Sequence, residues 1–568
     1  MAFANARNVD ARYSTFNDVG RDQYNIHFIS HVNEDVGKRT HLSRFKKPLI
    51  DIPAVVIIGG NLASLLQPAQ MDAYGREECL EGTRIDILSQ IMRWATNHTE
   101  NKNVMWFHGL AGSGKSTIST TLANDLRRTG HLGAYLCFDR NVKEMSDPSV
   151  VIRTLAYKLA LTNWSLGAEI SRVIESNPGI VRAHIHLQFL QLIVEPLLAR
   201  CFRYIVFPIV VIMAALDECG SPAERRHLVE VLSRDTSRLP FVRFLITSRT
   251  DYKIDHAFSS QPHIIVQELD VTSPSTNEDI RTFLRRQMEM IRANNVFLPL
   301  PSDWPGDDAI HGLTKRAAGL FLFASTAVAF IDSYNPQMAL RKILDEGIYI
   351  NAQSALDSLY ITALDSVGDW NDLEFAGAFR TILGAIVVAT NPLSPDTIDS
   401  ILGLKQMPSS HMIRRLGCVL RWKGTEPVRI IHPSFIDFLS DLQRCGSDRW
   451  FIDPELHNRQ FALHCVDYLQ RVMKYNMCSL TLSAEMVVNA TLEPDILYAS
   501  TFWIEHICAI TENAATCSER LEIFVFEHLL HWLEVMSIAK MSRVTIGQLK
   551  ALLTWINVNA FVSLSSWS

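Results

Sequence analysis

The chain has 568 residues, with 54 Lys plus Arg against 60 Asp plus Glu, a formal charge of −6 and 48% hydrophobic residues. At roughly 100–200 residues per domain this excludes a single small module and predicts about three to five domains. Ordinary globular usage excludes wholesale disorder, and the acidic balance argues against nucleic acid as a partner.

In chain order, residues 1–74 form an extension without a motif, marked by one apolar run from Ala54 to Ile58. The N-terminus lacks the apolar core of a secretory signal, and the longest apolar runs, 204–216 and 317–331, fall short of the roughly 18 residues of a bilayer-spanning helix. No membrane span and a cytoplasmic location are therefore expected. The ten cysteines include no Cys-x-x-Cys pair, and most are expected to be buried free thiols.

From about Cys79, Ile85, Leu88, Ile91, Met92 and Trp94 recur at helical spacing. Five short runs rich in β-branched and aromatic residues follow, at 104–107, 132–138, 206–213, 241–247 and 263–269, separated by segments of helical periodicity. This alternation predicts an α/β domain, a parallel sheet with helices on both faces. The helix after the first strand has Ile118, Leu122 and Leu126 on one face and Gly130 as its stop. Beyond residue 275 the periodicity predicts helices over 277–292, 308–331, 336–346 and 352–367, then 376–390, 395–404 and 409–420. A short hairpin at 419–422 and 428–431 and a helix from Pro433 complete a winged-helix-like pattern, and residues 455–568 are mostly helical.

Directly after the first strand stands Gly109-Leu-Ala-Gly112-Ser113-Gly114-Lys115-Ser116-Thr117, the pattern G-x-x-x-x-G-K-[ST]. Its glycines let backbone amides turn toward a polyphosphate, the helix N-terminus adds partial positive charge, Lys115 reaches the phosphates and the Ser116 hydroxyl can ligate Mg²⁺. Such a loop needs a carboxylate from another strand to hold the metal and a base beside it. The segment Ile209-Val-Val-Ile-Met-Ala214-Ala-Leu-Asp217-Glu218 offers two registers. Either the strand runs to Leu216, making Asp217 the metal carboxylate and Glu218 the catalytic one, or it ends near Met213 with Ala214 at its tip. Arg249, closing Phe244-Leu-Ile-Thr-Ser-Arg249, stands where ligands of open α/β sheets bind. It can sense a terminal phosphate, or simply pair with a carboxylate.

The ordered set of Glu78-Cys-Leu-Glu-Gly82-Thr83-Arg84, the loop 109–117, Ala215-Leu-Asp-Glu-Cys-Gly220, Thr247-Ser-Arg249, Ala318-Gly-Leu-Phe and Ile431-His432-Pro-Ser-Phe-Ile-Asp-Phe438 resembles fungal NACHT-domain proteins. These belong to the STAND class of P-loop NTPases and are NLR-like, with a nephrocystin-like N-terminal P-loop module. The resemblance covers roughly 75–568. It implies a NACHT-type nucleotide-binding domain at 75–275, a helical domain at 276–375, a winged-helix-like domain at 376–445 and a C-terminal helical region at 446–568; the WD-repeat sensor into which many members continue is not expected in this sequence, which shows no such repeats. It implies a signalling switch in fungal non-self recognition or programmed cell death, binding ATP or GTP with Mg²⁺, acting with protein partners not specified by the sequence and forming a homo-oligomer on activation. It also implies that His432 contacts the diphosphate in the closed arrangement and that Arg84 lies near the base.

The family motif D-x-x-D-E has its first aspartate where this chain has Ala214. That change removes the expected organiser of Mg²⁺ and spares the phosphate loop, so at most weak nucleoside triphosphatase activity is expected. Three alternatives stand beside the switch: a non-hydrolysing nucleotide-binding scaffold, a P-loop kinase and a DNA-binding regulator. The kinase is disfavoured by the helical, interaction-like remainder of the chain, and the regulator by charge. Arg414, Arg415, Arg421 and Lys423 are read as a solvated face or an interdomain contact, and the stretch from Leu529 to Met536 as core packing.

Overall fold

The strands of the sheet are short and, apart from the half-exposed edge strand Ile264–Glu268, buried on both faces, as a sheet covered by helices on both sides requires. The computed structural model describes residues 62–565 apart from 73–75, 98–99, 200–207, 296–299, 334, 346–350, 405–407, 447–448, 478–491 and 512–513. The described residues fall within one unit, Ile52–Ser568; the run Ala54 to Ile58 and the beginning of the run 204–216 lie outside them. Strands β1 (Val104–His108), β2 (Leu132–Cys137), β3 (Ile209–Ala214), β4 (Val242–Ser248) and β5 (Ile264–Glu268) form a parallel sheet in the order β2-β3-β4-β1-β5. All five predicted strands are present. Strand β1 is buried at every position, with Val104 and Trp106 in one hydrophobic cluster and Met105 and Phe107 in the other. With its loop and the helix that follows, this is the P-loop NTPase fold.

That helix, Lys115–Arg128, stops as its sequence predicts. Gly130 takes φ +76, the His131 amide donates to the Leu126 carbonyl at 2.9 Å and the Gly130 amide to the Arg127 carbonyl at 3.2 Å, a Schellman closure. The end of the predicted extension, residues 62–72, lies on the sheet domain: Leu62, Leu66 and Met71 are buried in its core, and the Cys137 amide bonds the Met71 carbonyl.

The region after the sheet is helical, built from Pro274–Asn294, Asp307–Ala317, Phe321–Ile331, Pro336–Asp345 and Ala352–Asp365. The helix predicted over 308–331 is two helices. Ala318 (φ +46) and Gly319 (φ +82) turn the chain into the left-handed region, and Gly319 lies so close to the Val271 carbonyl that a β-carbon there would sit 1.9 Å from its oxygen. Helices Leu373–Val388, Pro395–Leu402 and Ser409–Arg415 follow, then the antiparallel pair β6 (Leu420–Arg421) and β7 (Arg429–Ile430) and helix Ser434–Leu439. The helix expected to reach residue 420 ends at Arg415, because the chain turns at Leu416, whose carbonyl accepts the amides of Val419 and Leu420.

Helices Pro454–Val472, Pro494–Cys508, Ser518–Ile538 and Ser542–Ser565 complete the described chain. Trp532 is fully buried and donates to the Ser500 carbonyl at 2.8 Å, as core packing predicts, while Leu530 beside it is exposed. The eight described cysteines are free, six of them buried. Among the described residues no helix is long and apolar enough to cross a membrane.

Candidate phosphate site at the carboxyl ends of the strands

The loop Gly109–Thr117 leaves the end of β1 and enters helix Lys115–Arg128 through Gly114. Gly112 (φ +76) and Gly114 (φ +98) hold backbone angles that side chains resist, which brings the loop's backbone round the helix N-terminus. At Gly112 a β-carbon would also meet Leu322 at 2.7 Å, and the Leu322 amide donates to the Gly112 carbonyl at 3.0 Å. Helix Phe321–Ile331 thus seats the loop, which accounts for the sequence Ala318-Gly-Leu-Phe.

Lys115 is almost fully buried, its ammonium donating to the carbonyls of Gly109 (2.8 Å) and Leu110 (2.7 Å). Burial pulls its pKa down to about 8, against the opposing attraction of Asp217. Ser113 is fully buried, whereas Ser116 and Thr117 are half-buried at the start of the helix. Arg84 takes a left-handed backbone (φ +59) and donates to the Ser113 carbonyl at 2.8 Å and to Thr276 Oγ1 at 2.9 Å, its guanidinium over the Phe321 ring at 4.7 Å. It braces the loop from the protein side.

Strand β3 ends at Ala214, which settles the register. Ala215 turns left-handed (φ +63), and Asp217 and Glu218 fall in a short 3₁₀ turn beyond the strand. Two residues at the end of β4 fix this turn: Thr247 Oγ1 accepts the Ala215 amide at 3.1 Å, and the Arg249 amide donates to Asp217 Oδ1 at 2.9 Å. Ser248 Oγ, between them, instead accepts Trp106 Nε1 of β1 at 2.8 Å. Arg249 Nε lies 3.3 Å from Asp217 Oδ2, so both oxygens of Asp217 face Arg249. Holding a metal through Asp217 requires that pair to part.

Arg249 Nη1 reaches Asp437 Oδ2 at 2.7 Å, and Asp437 Oδ1 takes Arg140 Nη1 at 3.0 Å. Asp437 lies on helix Ser434–Leu439, Arg140 just after β2. Burial opposes the charge of Arg249, but Asp437, Asp217 and Glu218 outweigh it and raise its pKa. Burial likewise opposes the charge of Asp437, and the two arginines hold its carboxyl below the usual range. Arg249 Nη2 is buried and without a hydrogen-bond partner among the described residues. An unsatisfied buried guanidinium nitrogen fits an anion. Glu218 is pushed up to about 7 by burial and by the carboxylates of Asp217 and Asp139, so near neutrality it can hold or accept a proton.

His432 enters the same electrostatic cluster from the helical side. Burial pulls its pKa down to about 3, and the charges of Arg249 and Lys115 add to this. Its Nδ1 accepts the Ser434 amide at 3.1 Å, which puts the proton of the neutral ring on Nε2 and makes that nitrogen a donor. Ser434 Oγ in turn bonds the Tyr360 hydroxyl at 2.9 Å.

The structure therefore brings together Lys115, Asp217, Glu218, Arg249 and His432, with Arg84 on the far side of the loop. Sequence reasoning named all six and missed Asp437 and Arg140. The signal for Asp437 was an acid shortly after His432 at the start of a short helix; for Arg140, a basic residue just past a strand's carboxyl end. Of the basic residues Arg414, Arg415, Arg421 and Lys423, three are engaged within the protein: Arg414 lies over the Trp422 ring, Arg415 bonds the Val367 carbonyl and Arg421 faces Glu77.

Residues 82–249, less than a third of the chain, match the family model described as Nephrocystin 3, N-terminal. The match opens at Gly82, closes at Arg249 and contains the loop and both acids of the turn. Among solved structures, a Walker-type ATPase of Pyrococcus abyssi is similar at 11% identity and TM-score 0.30, covering 65% of this chain and 98% of its own. Cdc6p of Pyrobaculum aerophilum is similar at 11% and TM-score 0.30, covering 66% and 95%. The Aeropyrum pernix ORC1 protein, solved in complex with DNA, is similar at 12% and TM-score 0.27, covering 68% and 96%. No curated protein is significantly similar to the chain. The sheet order, the loop and the matched family model identify residues 82–249 as a P-loop NTPase-like nucleotide-binding module.

Proposed function

We propose that the chain is a nucleotide-controlled signalling switch of the STAND type, with ATP or GTP and Mg²⁺ as its ligands. The observation that carries this reading is the meeting of His432 and Asp437, from the segment read as a winged-helix-like domain at 376–445, with Lys115 and Arg249 at the phosphate loop. A site shared by two modules lets the phosphate state of a ligand bias how they pack. Nucleotide supplies the negative charge; Lys115 gives up the Gly109 and Leu110 carbonyls to meet it, and the loop amides and helix N-terminus orient it. His432 Nε2–H donates toward the diphosphate, Ser116 would ligate Mg²⁺, and Glu218 is placed to hold a proton. By resemblance, the setting is fungal non-self recognition or cell death, with homo-oligomerisation on activation in the cytoplasm.

A second reading, the same fold as a non-hydrolysing scaffold, draws support from Ala214 at the tip of β3 and from Asp217 with both oxygens on Arg249. Titrating the purified protein with ADP, ATP, GDP and GTP, alongside phosphate-release measurements, tests the two. Lys115→Ala should weaken binding on the order of 10- to 100-fold, the worth of a charge-assisted contact. Unchanged affinity of that variant would remove the loop from the argument, and turnover separates the switch from the scaffold.

A further inference from the structure

Asp437 has the properties of an anion built into the phosphate site. Its two oxygens each take one arginine, Arg140 at 3.0 Å and Arg249 at 2.7 Å, from segments that follow β2 and β4. Its helix is fixed in the core of the helical region: Phe435 and Phe438 are buried against the Tyr360 ring, at 5.1 and 5.4 Å between centroids. Arg249 is consequently divided, with Nε on Asp217, Nη1 on Asp437 and Nη2 buried without a partner. The two arginines and two aspartates balance in charge.

We infer that Asp437 sets the preference between nucleoside diphosphate and triphosphate by holding Arg249 as a phosphate oxygen would. This rests on the phosphate-site reading above and assigns within it a positioning residue. The loop amides and Lys115 can meet a diphosphate without disturbing the balance. A further phosphate group needs a further cation, and Arg249, whose buried Nη2 is unpartnered among the described residues, is the arginine of the cluster with a donor to give. Adding that charge beside Asp437 sets anion against anion in a half-buried site, where repulsion is poorly screened. Either the third phosphate is refused or Asp437 leaves, taking helix Ser434–Leu439 with it. Arg140, which touches Asp437 but not Asp217, strengthens the hold without belonging to the phosphate loop.

The test uses the full chain with Asp437→Asn, which keeps shape and removes charge, and with Arg140→Gln. The probes are ADP against the non-hydrolysable AMP-PNP, and GDP against GMP-PNP, with Mg²⁺, together with small-angle scattering of each complex. Asp437→Asn should raise triphosphate-analogue affinity relative to diphosphate by about tenfold, as loss of a charge-assisted pair allows, and should enlarge the analogue complex. Arg140→Gln should shift the ratio the same way by less, and it carries the test if the first variant does not fold. Asp437→Glu should restore the wild-type ratio. An unchanged ratio, or a parallel fall of both affinities, overturns the inference while leaving the phosphate site standing. A wild-type chain that binds none of the four ligands overturns both.

Discussion

The loop 109–117 is specified by one short run of sequence between a strand and a helix, whereas the cluster facing it takes Arg140, Asp217, Arg249 and Asp437 from segments up to 297 residues apart. Loop geometry follows from glycine backbone angles and a helix N-terminus, with distant chain packed against it at Arg84, Leu269 and Leu322. The cluster has no such local cause. Its arginines and acids meet because Phe435 and Phe438 pack on Tyr360 and because the Thr247 hydroxyl and the Arg249 amide pin the turn after β3. A locally made loop offers a fixed seat for phosphate. A cluster assembled across modules can be remade when one of them moves.

The largest effect should come from breaking the join at the rear of the loop. In Gly319→Ala a β-carbon would meet the Val271 carbonyl oxygen at 1.9 Å and its carbon at 2.7 Å, at φ +82. Backbone cannot give way as a flexible side chain can, so a loss of several kcal/mol is expected, on the order of 3 or more. Gly377→Ala is the contrast: it lies within helix Leu373–Val388 with nothing within 4 Å of the added carbon, and should stabilise by about 0.5–1 kcal/mol. Urea denaturation of both variants measures the difference. Equal effects would mean that the join does not hold helix Phe321–Ile331 to the sheet domain.

A smaller effect, which sharpens the comparison on the cluster's side, is expected from Ala214→Asp. Ala214 is fully buried at the tip of β3, where the resembled motif carries an acid. A carboxyl group buried there without a partner stays protonated and costs about 1–3 kcal/mol. The variant should melt below wild type alone, recover more than wild type when Mg²⁺ and nucleotide are added together, and release phosphate faster. Thermal shifts with and without Mg²⁺ read this out. Recovery no larger than that of wild type would place the metal away from the β3 tip.

What could be read in advance follows the same division. The five strands, the loop and the stop at Gly130 are legible because each is caused by neighbours in sequence: apolar runs, glycine spacing, a helix face. The break at Ala318 and Gly319 was not, since an apolar run from 317 to 331 has helical periodicity throughout and only contact with Val271 demands the interruption. The register of β3 stayed open because Ile209 to Leu216 is uniformly apolar; Ala215 in the left-handed region ends the strand, and Thr247, on another strand, holds its amide. Arg249 was legible as a residue at a strand's carboxyl end, but its second carboxylate was not, because Asp437 reaches it only through the folding of the helical region.

The smallest effect concerns protons, and it tests whether His432 belongs to the fixed part or to the adjustable one. In the folded chain His432 stays neutral down to about pH 3, for burial and the charges of Arg249 and Lys115 oppose its protonation. An unfolded chain takes up that proton near pH 6.5. Between those values the unfolded state binds more protons, so this residue's contribution is complete above about pH 6.5 and is lost as pH falls toward 3. Glu218 acts with the opposite sign. Its folded pKa of about 7 lies above the ordinary 4.5, so it costs stability as pH rises from 4.5 to 7. The two slopes oppose one another between 4.5 and 6.5, where wild type should show little net pH dependence from this site. His432→Gln removes one of them while keeping an acceptor for the Ser434 amide and an N–H donor in place of Nε2. Denaturation of the variant from pH 4.5 to 7.5 should therefore show stability declining with rising pH, and wild type should gain on it up to about pH 6.5 and no further. The gain per pH unit must stay below the roughly 1.4 kcal/mol that one full proton is worth, and well below it if solvent reaches the half-buried ring. A difference that stays flat from pH 5 to 7 would mean that His432 is free to protonate in the folded chain and stands outside the cluster.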